Sequence, residues 1–325
     1  MSDIQYSRFA INETPYCFWD WNIAQQNVQF LDNLDPGYFK HLADIHGALL
    51  EGDEKQYAAT TLRAAYSHAL ETLFALLSAT VQAPDCVVAW LLKYRNNELD
   101  EVVRKIHNRQ PVLSKLPVQH PTWETIADAI LSFKTGNDDK DIEIRDAFAE
   151  FWERLADDFL KEHTSYEYNS IKHGLRVHMG GFKVAMGVEN EPGIPASLEN
   201  MRLVGSSVFG TAFYRPEPLG DKHNLRVKRQ SVNWNPEKFV YALHLIALSI
   251  GNVISYLKCV NGVDPSEVQY TYPGDVSAFD LPWANQPLGI TNFSMNSIIE
   301  PGWIHPLSRS DILAVYQEDR KHSTE

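Results

Sequence analysis

Tyr168-Asn169-Ser170-Ile171-Lys172-His173-Gly174-Leu175-Arg176-Val177-His178-Met179-Gly180-Gly181-Phe182-Lys183-Val184-Ala185-Met186-Gly187-Val188 is where the chain changes its period. Just upstream, Ile144, Phe148, Phe151, Trp152, Leu155 and Phe159 recur at helical spacing and mark one side of a helix. From Leu175 the apolar residues alternate instead, as Leu175, Val177 and Met179, then as Phe182, Val184, Met186 and Val188. Period two on both sides of Gly180-Gly181 predicts a β-hairpin with a two-residue turn. In that register Met179 pairs with Phe182, His178 with Lys183 and Val177 with Val184, and Arg176, His178 and Lys183 share one face. Strand-like sequence continues through 204–214 and 224–234. Asn235-Pro236 then restarts helix, with Asn as N-cap and Pro in the first helical position. The expected fold class is mainly α, a helical bundle with an inserted antiparallel β-hairpin or small sheet (α+β).

Upstream, 54–77 reads as an amphipathic helix, with Leu62, Ala65, Tyr66, Ala69, Leu70, Leu73, Phe74 and Leu77 on one stripe. Pro84 suits the first turn of a following helix. Helical pattern runs through Trp90 and Leu92 and again over 99–106, until Gln110-Pro111 and Leu116-Pro117 break it. A shorter helix is expected over 122–133, followed by a turn at Thr135-Gly136-Asn137-Asp138-Asp139. In the acidic helix after it, Asp146, Glu150, Glu153, Asp157 and Asp158 read as a solvated face.

Phe239 to Leu257 is 19 residues without Asp, Glu, Lys or Arg, close to the length of a membrane span. Its apolar residues, Phe239, Leu243, Ile246, Ile250, Val253 and Leu257, follow the alternating spacing of a helix-packing seam. His244, Leu248, Asn252 and Ser255 lie on another face. That polar stripe would be costly against lipid, so the segment reads as a buried core helix and no membrane partner is expected. The resulting division is an N-terminal wrapping segment with short helices (1–53), a bundle (54–173 and 236–260), a β insertion (174–235) and a loop-rich tail (261–325). The tail ends in a helix opened by the capping pair Ser308-x-x-Asp311.

The chain has 325 residues, 44% apolar and 22% charged, which excludes collagen-like, coiled-coil and largely disordered classes. Its formal charge is 29 − 42 = −13, which argues against broad nonspecific nucleic-acid binding. The charge is unevenly placed. Over 168–230 the nine bases Lys172, Arg176, Lys183, Arg202, Arg215, Lys222, Arg226, Lys228 and Arg229 exceed the five acids Glu189, Glu191, Glu199, Glu217 and Asp221 by +4, leaving −17 elsewhere. A locally basic surface on an acidic protein suits an anionic ligand.

Cys17, Cys86 and Cys259 are odd in number and widely spaced, so no disulfide framework or zinc-ligand pair follows. The N-terminus has no basic n-region and no apolar h-region, and a reducing, cytoplasmic setting is expected. G-x-S-x-G, Gly-rich phosphate loops and paired C-x-x-C motifs are absent. His163, His173 and His178, with Glu162 and Glu167, match no zinc spacing, and neither a metal nor a cofactor is expected. His68 and His244 read as core histidines.

Asn169 followed by His173 at the end of a helix, in a helical bundle, resembles the motif of the HEPN superfamily, many of whose members are metal-independent RNases of defence and toxin–antitoxin systems. That family carries an arginine, a polar residue and, a few positions on, a histidine. Asn169 and His173 match the last two, whereas Tyr168 stands where the arginine would be. The spacing also occurs at Arg63–His68, but residues five apart on a helix point about 140° apart. The resemblance implies a metal-independent endoribonuclease, with His173 as general acid or base, Asn169 orienting it or the phosphate, and Lys172 or Arg176 supplying the missing cation. Arg176, His178, Lys183 and Tyr168 would then line the ligand site, for RNA or another anion. The resemblance also implies a homodimer. The competing expectation is a non-catalytic helical binding or assembly protein.

Overall fold

The chain begins with strands. Gln5–Ile11 (β1) and Thr14–Asp20 (β2) form an antiparallel hairpin, closed by Asn12-Glu13 with Asn12 at φ +53°. Asn tolerates this left-handed conformation better than most side chains. The buried amide of Gln82 grips the turn, accepting from the Asn12 N–H and donating to the Asn12 carbonyl, each at 2.9 Å. The expectation of short helices over 1–53 did not include this hairpin. The structure is a computed structural model describing residues 4–118, 120–132, 137–189, 191–219, 221–296 and 303–322. The readings at Phe133, Thr135 and Gly136, and at the first three residues, fall outside that range.

Helices follow as α1 (Ile23–Asp32), α2 (Gly37–Gly47), α3 (Lys55–Gln82), α4 (Val87–Lys93), α5 (Asn96–His107), α6 (Trp123–Ile130), α7 (Asp138–Phe159) and α8 (Glu162–Lys172). After the β region come α9 (Pro236–Val260) and α10 (Leu281–Ala284). The chain divides into two compact units, Met1–Tyr168 with Asn235–Gln286, and Asn169–Trp234 with Pro287–Glu325. The first unit is built on α3 packed against α9. Leu62, Leu70, Leu73, Phe74 and Leu77 of α3 are buried, as is every seam residue of α9 from Phe239 to Leu257. Each such side chain contributes roughly 1.5–3 kcal/mol of burial. Asn235 caps α9 by accepting from the Glu237 N–H at 3.1 Å, with Pro236 in the first turn, as its sequence predicts. Among the described residues α9 alone is long and apolar enough to cross a membrane, and 67% of its most apolar window is buried inside the protein.

Pro84 does not enter a helix; it lies between α3 and Cys86, the N-cap residue of α4. Ile144, Phe148, Phe151, Trp152 and Leu155 of α7 are buried, and the Trp152 indole donates to Ser249 Oγ at 3.0 Å. The acidic side of α7 is solvated at Asp146, Glu150 and Asp157. Asp158 departs from that face: it is buried, accepting from Tyr66 Oη at 2.7 Å and from Lys161 Nζ at 2.8 Å, and paired with Lys238. The i, i+1 step from Asp157 turns it inward, toward cations contributed by other parts of the chain.

In the second unit the strands are β3 (Val177–Met179), β4 (Lys183–Met186), β5 (Arg202–Ser206), β6 (Gly210–Leu219), β7 (Asp221–Asn233) and β8 (Asn292–Met295), with α11 (Arg309–His322) following. They form a four-stranded sheet in the order β3-β6-β7-β8 and a two-stranded sheet, β4-β5, all antiparallel. The fold is therefore mainly α with small antiparallel sheets, as expected. The Gly180-Gly181 hairpin is not formed. Val177 pairs with Phe213 and Met179 with Thr211, whereas Lys183 pairs with Ser206 and Val184 with Gly205.

The glycine pair instead carries the chain from one sheet to the other. Gly180 sits at φ +117°, and a Cβ on Gly181 would lie 2.4 Å from the Ser207 carbonyl oxygen. Their N–H groups donate to the carbonyls of Gly210 and Val208 at 2.9 and 3.0 Å. The Asn233 side chain clamps the exit, bonding both the N–H and the C=O of Phe182 at 2.8 and 2.9 Å. Alternation alone shows that a segment is a strand, not which strand it pairs with. The α11 capping pair forms as expected, with the Asp311 N–H donating to Ser308 Oγ at 3.2 Å.

Candidate nucleic-acid interface

The helix that carries Asn169 and leads into His173 stops where a glycine permits it. Gly174 takes φ +103° and Leu175 φ +49°, a left-handed conformation that costs a leucine roughly 1–2 kcal/mol. The terminal turn is closed by the N–H groups of His173, Leu175 and Arg176, which donate to Asn169, Ile171 and Ser170 at 3.0, 3.1 and 2.7 Å. The Arg176 guanidinium also reaches back to the Asn169 carbonyl at 3.4 Å, placing a cation at the negative end of the helix. Lys172, His173 and Arg176 are exposed, as are His178 and Lys183, while Asn169 is half-buried. Tyr168 is half-buried too. Burial, and secondarily the Glu71 carboxylate, pushes its phenol up to about 12, so it stays neutral.

Register decides which of these residues can act together. Lys183 is on the two-stranded sheet opposite Ser206, so the expected face of Arg176, His178 and Lys183 does not form. His178 instead stands opposite Ala212, in a row that continues through Ser231 to Phe293. The next row holds Tyr214, Arg229 and Met295. Arg176 precedes β3 by one residue and has the same parity as His178. Successive side chains alternate across a strand, so His178, Tyr214, Arg229, Phe293 and Met295 all project from one side of the four-stranded sheet.

That side is open. Tyr214 is 64% exposed, Val227 64%, Leu225 56% and Met295 61%. The opposite side is closed over buried Thr211, Phe213, Gln230 and Val232. There Gln230 donates to Asn292 Oδ1 at 2.9 Å, and Arg226 is paired with Glu217 directly across the ladder. The Arg226 hydrogen bond holds the Glu217 carboxyl below its ordinary range. The exposed side thus combines one phenol, one phenyl ring, a guanidinium and an imidazole over a floor of aliphatic side chains. Rings and guanidinium planes stack on bases, while cations bind phosphates.

The second arginine–histidine spacing separates completely. Arg63 is buried and gives two hydrogen bonds to Glu167 Oε2, from Nε at 2.8 Å and Nη2 at 2.6 Å. His68 is exposed, edge-on to Phe39 with centroids 5.2 Å apart, and is not a core histidine. His244 is not a core residue either: its side chain is 35% exposed, 3.1 Å from Asp44. Burial, then the nearby Arg63 charge, lowers the pKa of His163. Among the described residues no group of three or more His, Cys, Asp and Glu side chains is placed to hold a metal ion.

Sequence reasoning counted Arg229 only among the bases of 168–230 and passed over Tyr214, Phe293 and Met295. Their signal was present: Leu225, Val227 and Arg229 alternate with Arg226, Lys228 and Gln230, a two-faced strand whose apolar side is the exposed one. No protein-family model matches the chain, and no curated protein or solved structure matches it either.

Proposed function

We propose that the chain binds single-stranded RNA on the open side of its four-stranded sheet. The observation that carries this reading is the row Tyr214–Arg229–Met295, flanked by His178 and Phe293, exposed across three paired strands. Arg229 meets a phosphate or stacks on a base; Tyr214 and Phe293 offer ring faces to successive bases. Lys172, His173 and Arg176, exposed at the end of α8, add positive or protonatable groups in the same unit. On an acidic protein, a polyanion is drawn to a face that sets an exposed guanidinium among aromatic rings and is repelled elsewhere. A single strand fits better than a duplex, because its bases are free to stack on a sheet.

The HEPN-like motif adds a second, narrower reading. His173 is solvent-exposed, as a general base at a ribose hydroxyl must be, with Asn169 one helical turn before it. Tyr168 removes the cation expected for phosphorane stabilisation, so binding is proposed as the activity and cleavage as the property to be tested. Labelled single-stranded RNA incubated with and without EDTA, with wild type and His173→Ala, separates the two. EDTA-resistant cleavage lost in His173→Ala adds the RNase step. Binding without turnover, weakened in Tyr214→Ala and Arg229→Ala and by added salt, supports the binder. Absence of any RNA complex at low salt rejects both and leaves this face to a protein partner.

A further inference from the structure

The polar stripe of α9, out of place on so apolar a helix, opens onto a cleft in the helical unit. Asn252 bonds both backbone groups of Thr271 at 2.8 Å, and Ser255 Oγ donates to the Gln269 carbonyl at 2.7 Å. These bonds hold the extended segment around 268–272 against α9. Between that segment, α9 and the start of α2 lies a cavity of about 450 Å³.

Lys40, His244 and Lys258 line the cavity, and Glu267 is the one carboxylate among its lining residues. The carboxylates that partner these three side chains stand outside the lining. Asp44 takes Lys40 at 2.7 Å and His244 Nε2 at 3.1 Å, and Asp32 takes Lys258 at 2.5 Å. An ammonium has three donors, so a single carboxylate leaves others for a guest. The floor is low, formed by Ala247 and Gly251. A Cβ on Gly251 would meet nothing nearer than Pro36 Cγ at 3.9 Å. Leu248 and Val268 supply apolar wall.

We infer that this cleft is a binding site for a small organic anion, its carboxylate or phosphate held by Lys40, His244 and Lys258 and its apolar body lying over Ala247 and Gly251. Its volume falls in the range of small-molecule sites, about 300–1,000 Å³. The proposal is independent of the RNA reading, since every lining residue belongs to the helical unit.

Phenyl phosphate, benzoate and uncharged phenol are the probes, titrated while the imidazole NMR signal of His244, assigned with His244→Gln, is followed. One or both anions should shift that signal saturably, and phenol should not. Lys258→Gln should weaken the response about tenfold or more, in line with a charge-assisted hydrogen bond. Gly251→Leu, which fills the floor, should abolish it; Gly251→Ala, for which there is room, should retain it. A thermal melt of each variant confirms the fold. RNA affinity should stay unchanged in all of them. No saturable shift with either anion, equal response to phenol, or an undiminished response in Lys258→Gln or folded Gly251→Leu would overturn the proposal.

Discussion

Arg63 and Arg229 carry the same guanidinium into opposite surroundings. Arg63 is enclosed in the helical unit, its Nε and Nη2 both on one Glu167 oxygen, with the rings of Tyr66 and Phe239 at 5.8 and 5.3 Å. Arg229 stands in water between Tyr214 and Met295 on the sheet. The same contrast holds for carboxylates: Asp158 is buried between Lys161, Lys238 and Tyr66, whereas Asp146 and Glu150 on the same helix are solvated. A buried charge must be matched or it destabilises the fold, so those of the helical unit report on stability. The exposed cations and rings of the sheet stabilise little and are available to a ligand. The two units should therefore fail in different assays.

The largest effect is expected at Arg63. Arg63→Ala removes the guanidinium that gives buried Glu167 two hydrogen bonds and should cost about 3–5 kcal/mol in denaturant unfolding. The double variant Arg63→Met/Glu167→Met should recover most of that loss, because it removes both charges; an equal loss in the double variant would mean that packing rather than charge is at stake.

Asp158 gives a pH-dependent form of the same test. Burial pushes its carboxyl up, but Lys238 and Lys161 outweigh burial and hold it well below its ordinary range. Its folded pKa lies below its unfolded one. Its contribution is therefore fully present above about pH 4 and is lost as pH falls from there through the folded value. Wild-type melting temperature should drop over that acidic window. Asp158→Asn should start lower at neutral pH and lose less on acidification. Parallel curves for the two proteins would exclude Asp158 as a source of the acid sensitivity.

On the sheet the expected effects are on binding. Tyr214→Ala and Arg229→Ala should each weaken single-stranded RNA binding by about 1–3 kcal/mol, read by fluorescence anisotropy. Arg229→Ala should also reduce the salt slope by about one, and both variants should melt like wild type. A large loss of stability in either would move the sheet into the class of Arg63. The smallest effect is expected at the exposed helix pair Arg104–Asp100, 2.8 Å apart. Arg104→Ala should change stability by about 0.5 kcal/mol or less and leave RNA binding alone.

Where local pattern determines structure, the sequence was readable. The α9 seam, its Asn235-Pro236 start and the Ser308–Asp311 cap are set by residues within a turn of one another, and all appear as read. The chemistry at the end of α8 was partly readable. Gly174 ends the helix in a left-handed conformation and His173 is exposed, but whether Asn169 and His173 act on RNA depends on a ligand. The partners of β3 and β4 were not readable, because Val177 and Val184 find them more than twenty residues away on β6 and β5. Gly180-Gly181 looks the same in a tight turn and in a crossing between sheets; what distinguishes them is the close approach of the Ser207 and Phe209 carbonyls, which local sequence does not encode. Asp158 was misassigned for the same reason, since its cation Lys238 comes from another helix. The N-terminal hairpin was missed although Asn12 marks its turn, because the aromatic run of β2 alternates only weakly.

The most direct test is to titrate a short labelled oligouridine with wild type and with the double variant Tyr214→Ala/Arg229→Ala, beside a duplex of the same length. Wild type should bind the single strand more tightly than the duplex, with affinity falling steeply in salt, and the folded double variant should lose most of that affinity. An oligouridine bound equally well by both proteins, or by neither, would show that the sheet is not where RNA is held.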